Sequence, residues 1–349
     1  MGWAERLQQA WLTRGPLACG LWPVAALFGA VSGAHRSLYR FGWLKAESLS
    51  APVIVVGNLV AGGAGKTPTV IALVKRLREC GFTPGIVSRG YGRRGDAVLE
   101  VLPNTTATDA GDEPLLLRLR TGAPVVVARD RVAAGHALLR RHPEVDVVVS
   151  DDGLQHHRLA RQVQVLVFDE RGVGNGWLLP AGPLREPMPT TLPPRSLVLY
   201  NAVTASTALP GSTVRRSLRG VASLADWWRG KDASMDALHA LKARPVLAVA
   251  GLARPGRFFT MLREADLTIT PLALPDHDHF ATLPWPDGTP DVVVTEKDAV
   301  KLAPDRVGST RVWVATLDFA FDAAFDTALA ALLPSPPTPG HLDHGNTTA

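Results

Sequence analysis

Cysteine is nearly missing from this chain: 349 residues contain only Cys19 and Cys80. Neither has a partner at redox or zinc-ligand spacing. A disulfide scaffold and a thiolate metal site are therefore excluded, and a reducing compartment is implied. Aromatic residues make up only 6%, and they do not interleave with basic residues. That removes the stacking platforms of a nucleic-acid binder, so no nucleic-acid partner is expected. No internal repeat is present, no segment calls for an obligate protein partner, and no convincing cleavable signal peptide is found. Nor is there an Asn-Lys-x-Asp guanine signature, which Thr295-Glu-Lys-Asp298 only approximates. An excess of one charge is also slight: 37 basic against 32 acidic residues, a net +5. This suits an anionic surface or a phosphorylated substrate, and equally ordinary solubility.

Long apolar runs are limited to one stretch. Leu17 to Ala34 is uncharged, contains Pro23 and three glycines, and lies between Arg6 and Arg14 on one side and Arg36, Arg40 and Lys45 on the other. It is short for a bilayer core of roughly 30 Å, and basic residues on both flanks set no orientation. A segment lying on an anionic membrane surface fits better than a spanning or an ordinary buried helix.

What the chain has in quantity is short β-branched runs separated by helical patterns. Strands are expected at Val53–Gly57, Gly85–Ser88, Pro124–Ala128, Asp146–Ser150, Val163–Phe168, Ser196–Tyr200, Val246–Ala250, Asp291–Thr295 and Val312–Ala315. Helices are expected at Thr67–Gly81, Asp112–Thr121, Asp130–His142 and Arg257–Ala265. The alternation predicts an α/β fold, a P-loop NTPase-like and mainly parallel sheet with helices on both faces. The expected organisation is an N-terminal membrane-associating helical segment over 1–45 and a P-loop core over 46–195. A smaller C-terminal α/β unit follows over 196–333, then a disordered proline-ended tail over 334–349.

Gly57-Asn-Leu-Val-Ala-Gly62-Gly63-Ala64-Gly65-Lys66-Thr67-Pro68 follows an apolar strand and opens a helix. That is the layout of a phosphate-binding loop. The loop from Gly62 to Pro68 would bind the nucleotide: the backbone N–H groups before Pro68 would cradle phosphates, Lys66 would neutralise charge and Thr67 would hold Mg²⁺. The strict pattern G-x-x-x-x-G-K-[ST] asks for Gly where Val60 stands.

Other strand ends carry polar residues. Asp151-Asp152 closes an apolar strand, as a Walker B element does, and can hold Mg²⁺ beside the loop; a simple Asp turn is the alternative. Asp112, in Gly111-Asp-Glu-Pro114, can accept a hydroxyl proton or merely cap its helix. Arg185 and Glu186 follow a glycine- and proline-rich loop and can serve a transferring phosphoryl group and its metal, or form a surface ion pair. Asp276-His277-Asp278-His279 invites a metal reading, but the two His are two residues apart without further partners. A catalytic or substrate-orienting His, or a solvated turn, fits that spacing better. Thr295-Glu296-Lys297-Asp298 either faces a nucleotide base or caps the next helix.

In order, these motifs resemble the tetraacyldisaccharide 4′-kinase family of lipid A biosynthesis over about residues 1 to 330. The resemblance is carried by Val56-Gly57-Asn58 with Gly62 to Pro68, Ser88-Arg-Gly-Tyr-Gly92, Gly111 to Pro114, Asp151-Asp-Gly-Leu-Gln155-His156 and Leu179 to Pro187. Arg257-Phe-Phe259, Asp276-His277 with Phe280, and Thr295 to Asp298 complete it. It implies transfer of the ATP γ-phosphate to the 4′-hydroxyl of an acylated disaccharide 1-phosphate lipid at the cytoplasmic face of the bacterial inner membrane. It implies ATP and Mg²⁺ on Lys66 and Thr67, with Asp151 and Glu186 completing the metal site and Arg185 on the phosphates. Asp112 would be the base, tuned by His277; Asp152 would lie on the acceptor side, with Gln155 and His156 near the acceptor or the metal site. The rival readings are a membrane-docking P-loop switch ATPase and a GTPase. Neither needs the acceptor-activating group that Asp112 and His277 would supply.

Overall fold

The computed structural model describes residues 3–276 and 278–335. His277 and most of the expected tail lie outside the described residues. The chain opens with α1 (Trp3–Ala10) and α2 (Pro16–Arg40). Then come β1 (Val53–Gly57), α3 (Lys66–Glu79), β2 (Pro84–Ser88), β3 (Leu99–Val101), α4 (Ala107–Ala110), α5 (Asp112–Thr121) and β4 (Val125–Val127). They are followed by α6 (Arg131–Arg141), β5 (Val147–Asp151), β6 (Val163–Asp169), β7 (Ser196–Asn201) and β8 (Ser212–Thr213). The remainder comprises β9 (Arg215–Ser223), α7 (Leu224–Trp228), α8 (Met235–Leu241), β10 (Val246–Ala250) and α9 (Pro255–Glu264). Last are β11 (Ile269–Ala273), β12 (Asp291–Thr295), α10 (Glu296–Ala299), β13 (Arg311–Ala320) and α11 (Ala323–Leu332).

The strands form an 8-stranded sheet in the order β3-β4-β2-β5-β1-β6-β7-β8 and a 5-stranded sheet in the order β11-β10-β12-β13-β9. All pairs are parallel except β3 with β4 and β9 with β13, at one edge of each sheet. Every residue of β1 is buried. Ile54 and Val56 enter the core under α3, while Val53 and Val55 enter the one under α6. This two-residue alternation into two cores is why a doubly covered strand reads as an unbroken apolar run. The α3 side continues into the second sheet through Val292, Val294, Val312 and Val314, so both sheets share one apolar cluster.

Three differences from the sequence reading have physical causes. Ser196–Asn201 pairs with β6 from Gln164↔Ser196 to Asp169↔Asn201. The boundary expected at 195/196 thus runs through the first sheet, and the second sheet starts at Arg215. A buried apolar strand carries no sign of which sheet it joins. Strands β9 and β11 escape the pattern because both are edge strands: β9 is half exposed and β11 contains Pro271, which an edge tolerates. Finally, α2 runs past Ala34 to Arg40. It starts with Pro16 in its first turn and buries only Ala18 and Ala25, leaving Trp22, Val24, Leu27, Phe28 and Val31 exposed. Its mean hydropathy over 18 residues is 1.6, and among the described residues it alone is long and apolar enough to cross a membrane.

Candidate active site

The carboxyl edge of the larger sheet gathers the site. Strand β1 lies between β5 and β6, and Val56 is in register with Asp151. The phosphate loop therefore emerges beside the Asp151-Asp152 pair, at the position where doubly wound sheets bind ligands. At the start of α3, Gly65 takes the left-handed region (φ 92) and no side chain caps the helix. A Cβ on Gly65 would come within 2.3 Å of the Asn201 amide nitrogen, which itself donates to the Ala64 carbonyl at 3.2 Å. No acidic residue lies in the first turn of α3. An uncapped helix N-terminus without nearby carboxylates on its own turn is suited to an anion.

Asn58 fixes the loop from inside. It is fully buried, its amide donates to the Gly62 carbonyl at 3.1 Å, and its oxygen accepts from Lys66 Nζ at 3.3 Å. Lys66 also lies 3.7 Å from Asp152, and Arg185 donates to both Asp152 oxygens at 3.0 and 3.1 Å. Gln155 joins this set, accepting from Arg185 and donating to the Asn58 carbonyl, both at 3.4 Å. Burial pushes the Asp152 carboxyl up, but Lys66 and Arg185 outweigh it and hold the group below its ordinary range.

Asp151 is in the opposite condition. It is buried; one oxygen accepts from Ser88 at 3.0 Å and the other has no partner. Burial, reinforced by Glu113 and Asp152, pushes its carboxyl up to about 7. Asp112 is the first residue of α5, is buried, and accepts from the Glu113 N–H at 2.9 Å. Lys297 arrives from the second sheet, 3.4 Å from Glu113 and 3.2 Å from Asp276. Burial would lower that ammonium, but Glu113, Asp112 and Asp276 hold it above its ordinary value.

The structure thus joins Lys66, Asp152, Gln155 and Arg185 in one polar set. Of the expected residues outside this set, Glu186 and His156 take partners that lead away from it. Glu186 pairs with Arg36 of α2 at 3.0 Å, leaving its other oxygen buried and unpartnered. His156 lies 3.5 Å from Asp130, and burial, with Arg131, lowers its imidazole to about 4. Thr295 caps α10 by accepting from the Asp298 N–H, which settles the capping alternative for that residue, while Lys297 in the same motif reaches α5. Sequence reasoning missed Asn201, Arg36 and the reach of Lys297. Asn201 ends a strand next to β6, a position only the sheet order reveals; the other two act across elements far apart in the chain.

A cavity of about 590 Å³ lies between the sheets. Lys66, Thr67 and Glu113 line one wall, and Arg254, Arg257 and Lys297 the other. Arg254 and Arg257 both pair with Glu170, just beyond β6. Phosphates seated on the loop would face cationic groups from both sides.

The model of the tetraacyldisaccharide-1-P 4′-kinase family matches residues 17–334. A tetraacyldisaccharide 4′-kinase of Methylibium petroleiphilum is 58% identical over 337 residues, 94% of each chain. One of Leptothrix cholodnii is 54% identical over 336 residues, 95% of this chain and 97% of that one. The crystal structure of "apo" form LpxK from Aquifex aeolicus in complex with ATP superposes with a TM-score of 0.75 at 26% identity, covering 90% of this chain and 99% of that one. With the phosphate loop, the strand-end carboxylates and the cleft in place, the chain belongs to the tetraacyldisaccharide-1-P 4′-kinase family.

Proposed function

We propose that this protein is a lipid kinase that moves the γ-phosphate of ATP to the 4′-hydroxyl of tetraacyldisaccharide 1-phosphate, forming lipid IVA. The observation that carries this reading is the position of Lys66. It sits at once in the cavity wall, at the uncapped start of α3, and 3.7 Å from an Asp152 that Arg185 also grips. Phosphoryl transfer needs chiefly positioning and charge neutralisation, and this set supplies both. Backbone N–H groups from Gly62 to Thr67 bind the phosphates, and Pro68, which has no N–H to give, holds the first turn of α3. Asp152 and Asn58 aim the Lys66 ammonium at them. Arg185 is positioned to move from Asp152 towards charge developing on the transferring group. Asp112 takes the acceptor proton, aided by His277, and Gln155 and His156 belong to the acceptor side, where His156 acts as a neutral imidazole.

The residues fit Mg²⁺. Asp151 presents a buried oxygen without a partner, Thr67 lies at the cavity wall, and Glu186 keeps one unpartnered oxygen. Among the described residues no cluster of three His, Cys, Asp or Glu forms a protein cage. Mg²⁺ is normally held by one or two carboxylates with phosphates and water. When bound, the ion would neutralise phosphate charge beside Lys66.

An acylated substrate stays in its bilayer, so the enzyme must reach the membrane. The exposed apolar face of α2, with Arg14, Arg36 and Arg40 about it, suits the anionic surface of the inner membrane on the cytoplasmic side. Replacing Leu27, Phe28 and Val31 together by Ser is expected to abolish sedimentation with anionic vesicles; full retention would refute the membrane assignment.

The kinase assay is direct. Lys66→Ala and Asp112→Ala should each reduce label transfer from γ-labelled ATP to the disaccharide lipid by at least about a thousandfold. A wild-type protein that hydrolyses ATP at full rate without lipid, and never labels the lipid, would establish the switch-ATPase reading instead.

A further inference from the structure

The loop that presents Arg185 is clasped from outside by α2, by the end of α1 and by the connection between them, residues 11–15. Asn175 is the main fastening. It is 8% exposed; its N–H donates to the Trp11 carbonyl at 2.7 Å, and its side-chain amide donates to the carbonyls of Thr13 at 3.1 Å and Ala181 at 2.9 Å. Its own carbonyl accepts from Arg14 Nε at 3.1 Å. The Trp11 indole donates to the Pro180 carbonyl at 2.9 Å. Further along, Gly29 of α2 packs so tightly on Leu178 that a Cβ would come within 2.6 Å of it. Arg36 then pairs with Glu186 at 3.0 Å.

From inside, the same loop is tied to the phosphate loop. The Ala61 N–H donates to the Pro183 carbonyl and the Arg185 N–H to the Leu59 carbonyl, both at 2.7 Å. Val60 bridges Leu184, and both are buried. Residues 174–187 therefore lie between the N-terminal helices and the phosphate loop, with Arg185 projecting to Asp152.

We propose that α1 and α2 act in catalysis as the seat of this loop, with Asn175 and Arg36 as positioning residues that set Arg185 at the transferring phosphate; this rests on the kinase reading above. Seating the helices on a membrane then also seats the catalytic loop. A displacement of about 1 Å can cost on the order of a hundredfold in rate. Loosening either fastening should lower kcat more than it weakens ATP binding, because Lys66 is also held by Asn58 and the N-terminus of α3 lies beyond the contacts with this loop.

The test uses the full chain with lipid in mixed micelles. Arg36→Met should lower kcat at least about tenfold, with the KM for ATP and for lipid changed less than about threefold and vesicle binding retained. Arg36→Lys should recover most of the loss. In an Arg185→Met background Arg36→Met should add almost nothing, as expected of residues acting through one group. Hydrogen exchange gives a readout independent of turnover: Arg36→Met and Asn175→Ala should speed exchange of the Leu184 and Arg185 amides while those of β5 stay protected. Unchanged kcat, a rise only in lipid KM, additive losses in the double variant, or unchanged exchange would each overturn the proposal. A wild-type protein that never phosphorylates the lipid would refute the kinase reading, and the exchange result would still decide whether the helices seat the loop.

Discussion

Two buried aspartates at the carboxyl ends of parallel strands behave in opposite ways. Asp298 follows β12 in the smaller sheet and has no exposed side-chain surface. One oxygen accepts from Thr295 Oγ at 2.7 Å and from the Gly251 N–H at 3.0 Å, and the other from Lys301 at 3.0 Å. Asp151 ends β5 in the larger sheet and is as deeply buried, yet only Ser88 partners it and one oxygen has none. Burying a carboxylate is costly unless it is paired and hydrogen-bonded. A site that meets this cost with fixed partners is finished as a piece of structure. One that leaves it unmet would suit a cation arriving with the ligand, which is the role proposed above for Asp151. The comparison supports the metal role proposed for Asp151 where strand position alone treats the two alike.

The largest effects should separate the two residues most cleanly. Asp151→Asn should abolish most phosphate transfer, at least a hundredfold in kcat, while leaving the nucleotide-free protein as stable as before or more so. Removing a poorly compensated buried charge relieves strain that only the bound state needs. Asp298→Ala should do the reverse. It strands Lys301 and the Gly251 N–H in the interior, at roughly 3–5 kcal/mol in denaturant unfolding, while molecules that remain folded turn over near the normal rate. An Asp151→Asn protein that unfolds as readily as Asp298→Ala would break the distinction.

Much of this was legible beforehand, for a physical reason. Buried parallel strands such as β1 and β12 are unbroken β-branched runs, and the loop, Asp151-Asp152 and Asp112 lie next to elements whose patterns are strong. What stayed hidden depends on meetings across the chain. Nothing local in Arg36 announces Glu186, and nothing local in Thr295 to Asp298 says that the first residue caps while Lys297 crosses to α5. Val60, where the strict pattern has glycine, is buried and bridges Leu184, a meeting visible only in three dimensions. Edge strands β9 and β11 lacked the burial that gives a strand its signature.

The finest test of the contrast is the pH dependence of stability, measured with chelator and without nucleotide. The Asp151 carboxyl is raised to about 7 from an ordinary 3.8. Between about pH 4 and 7 the folded protein then holds more protons than the unfolded chain, so this residue makes stability fall as pH rises through that window. The smaller sheet offers the opposite sign. Asp291 is driven up by burial, but hydrogen bonds from Arg311 and Trp313 and the charge of Arg244 hold it below its ordinary value. Its stabilisation is present above about pH 4 and is lost as pH falls through that lowered value. Relative to wild type, Asp151→Asn should therefore gain stability progressively from pH 4 to 7. Asp291→Asn should lose it, by about 1–3 kcal/mol at neutral pH, with the deficit closing in acid. Urea midpoints at four or five pH values would show the two differences diverging as pH rises. Parallel curves would mean that Asp151 has a compensating partner and is no more prepared for a cation than Asp291 is.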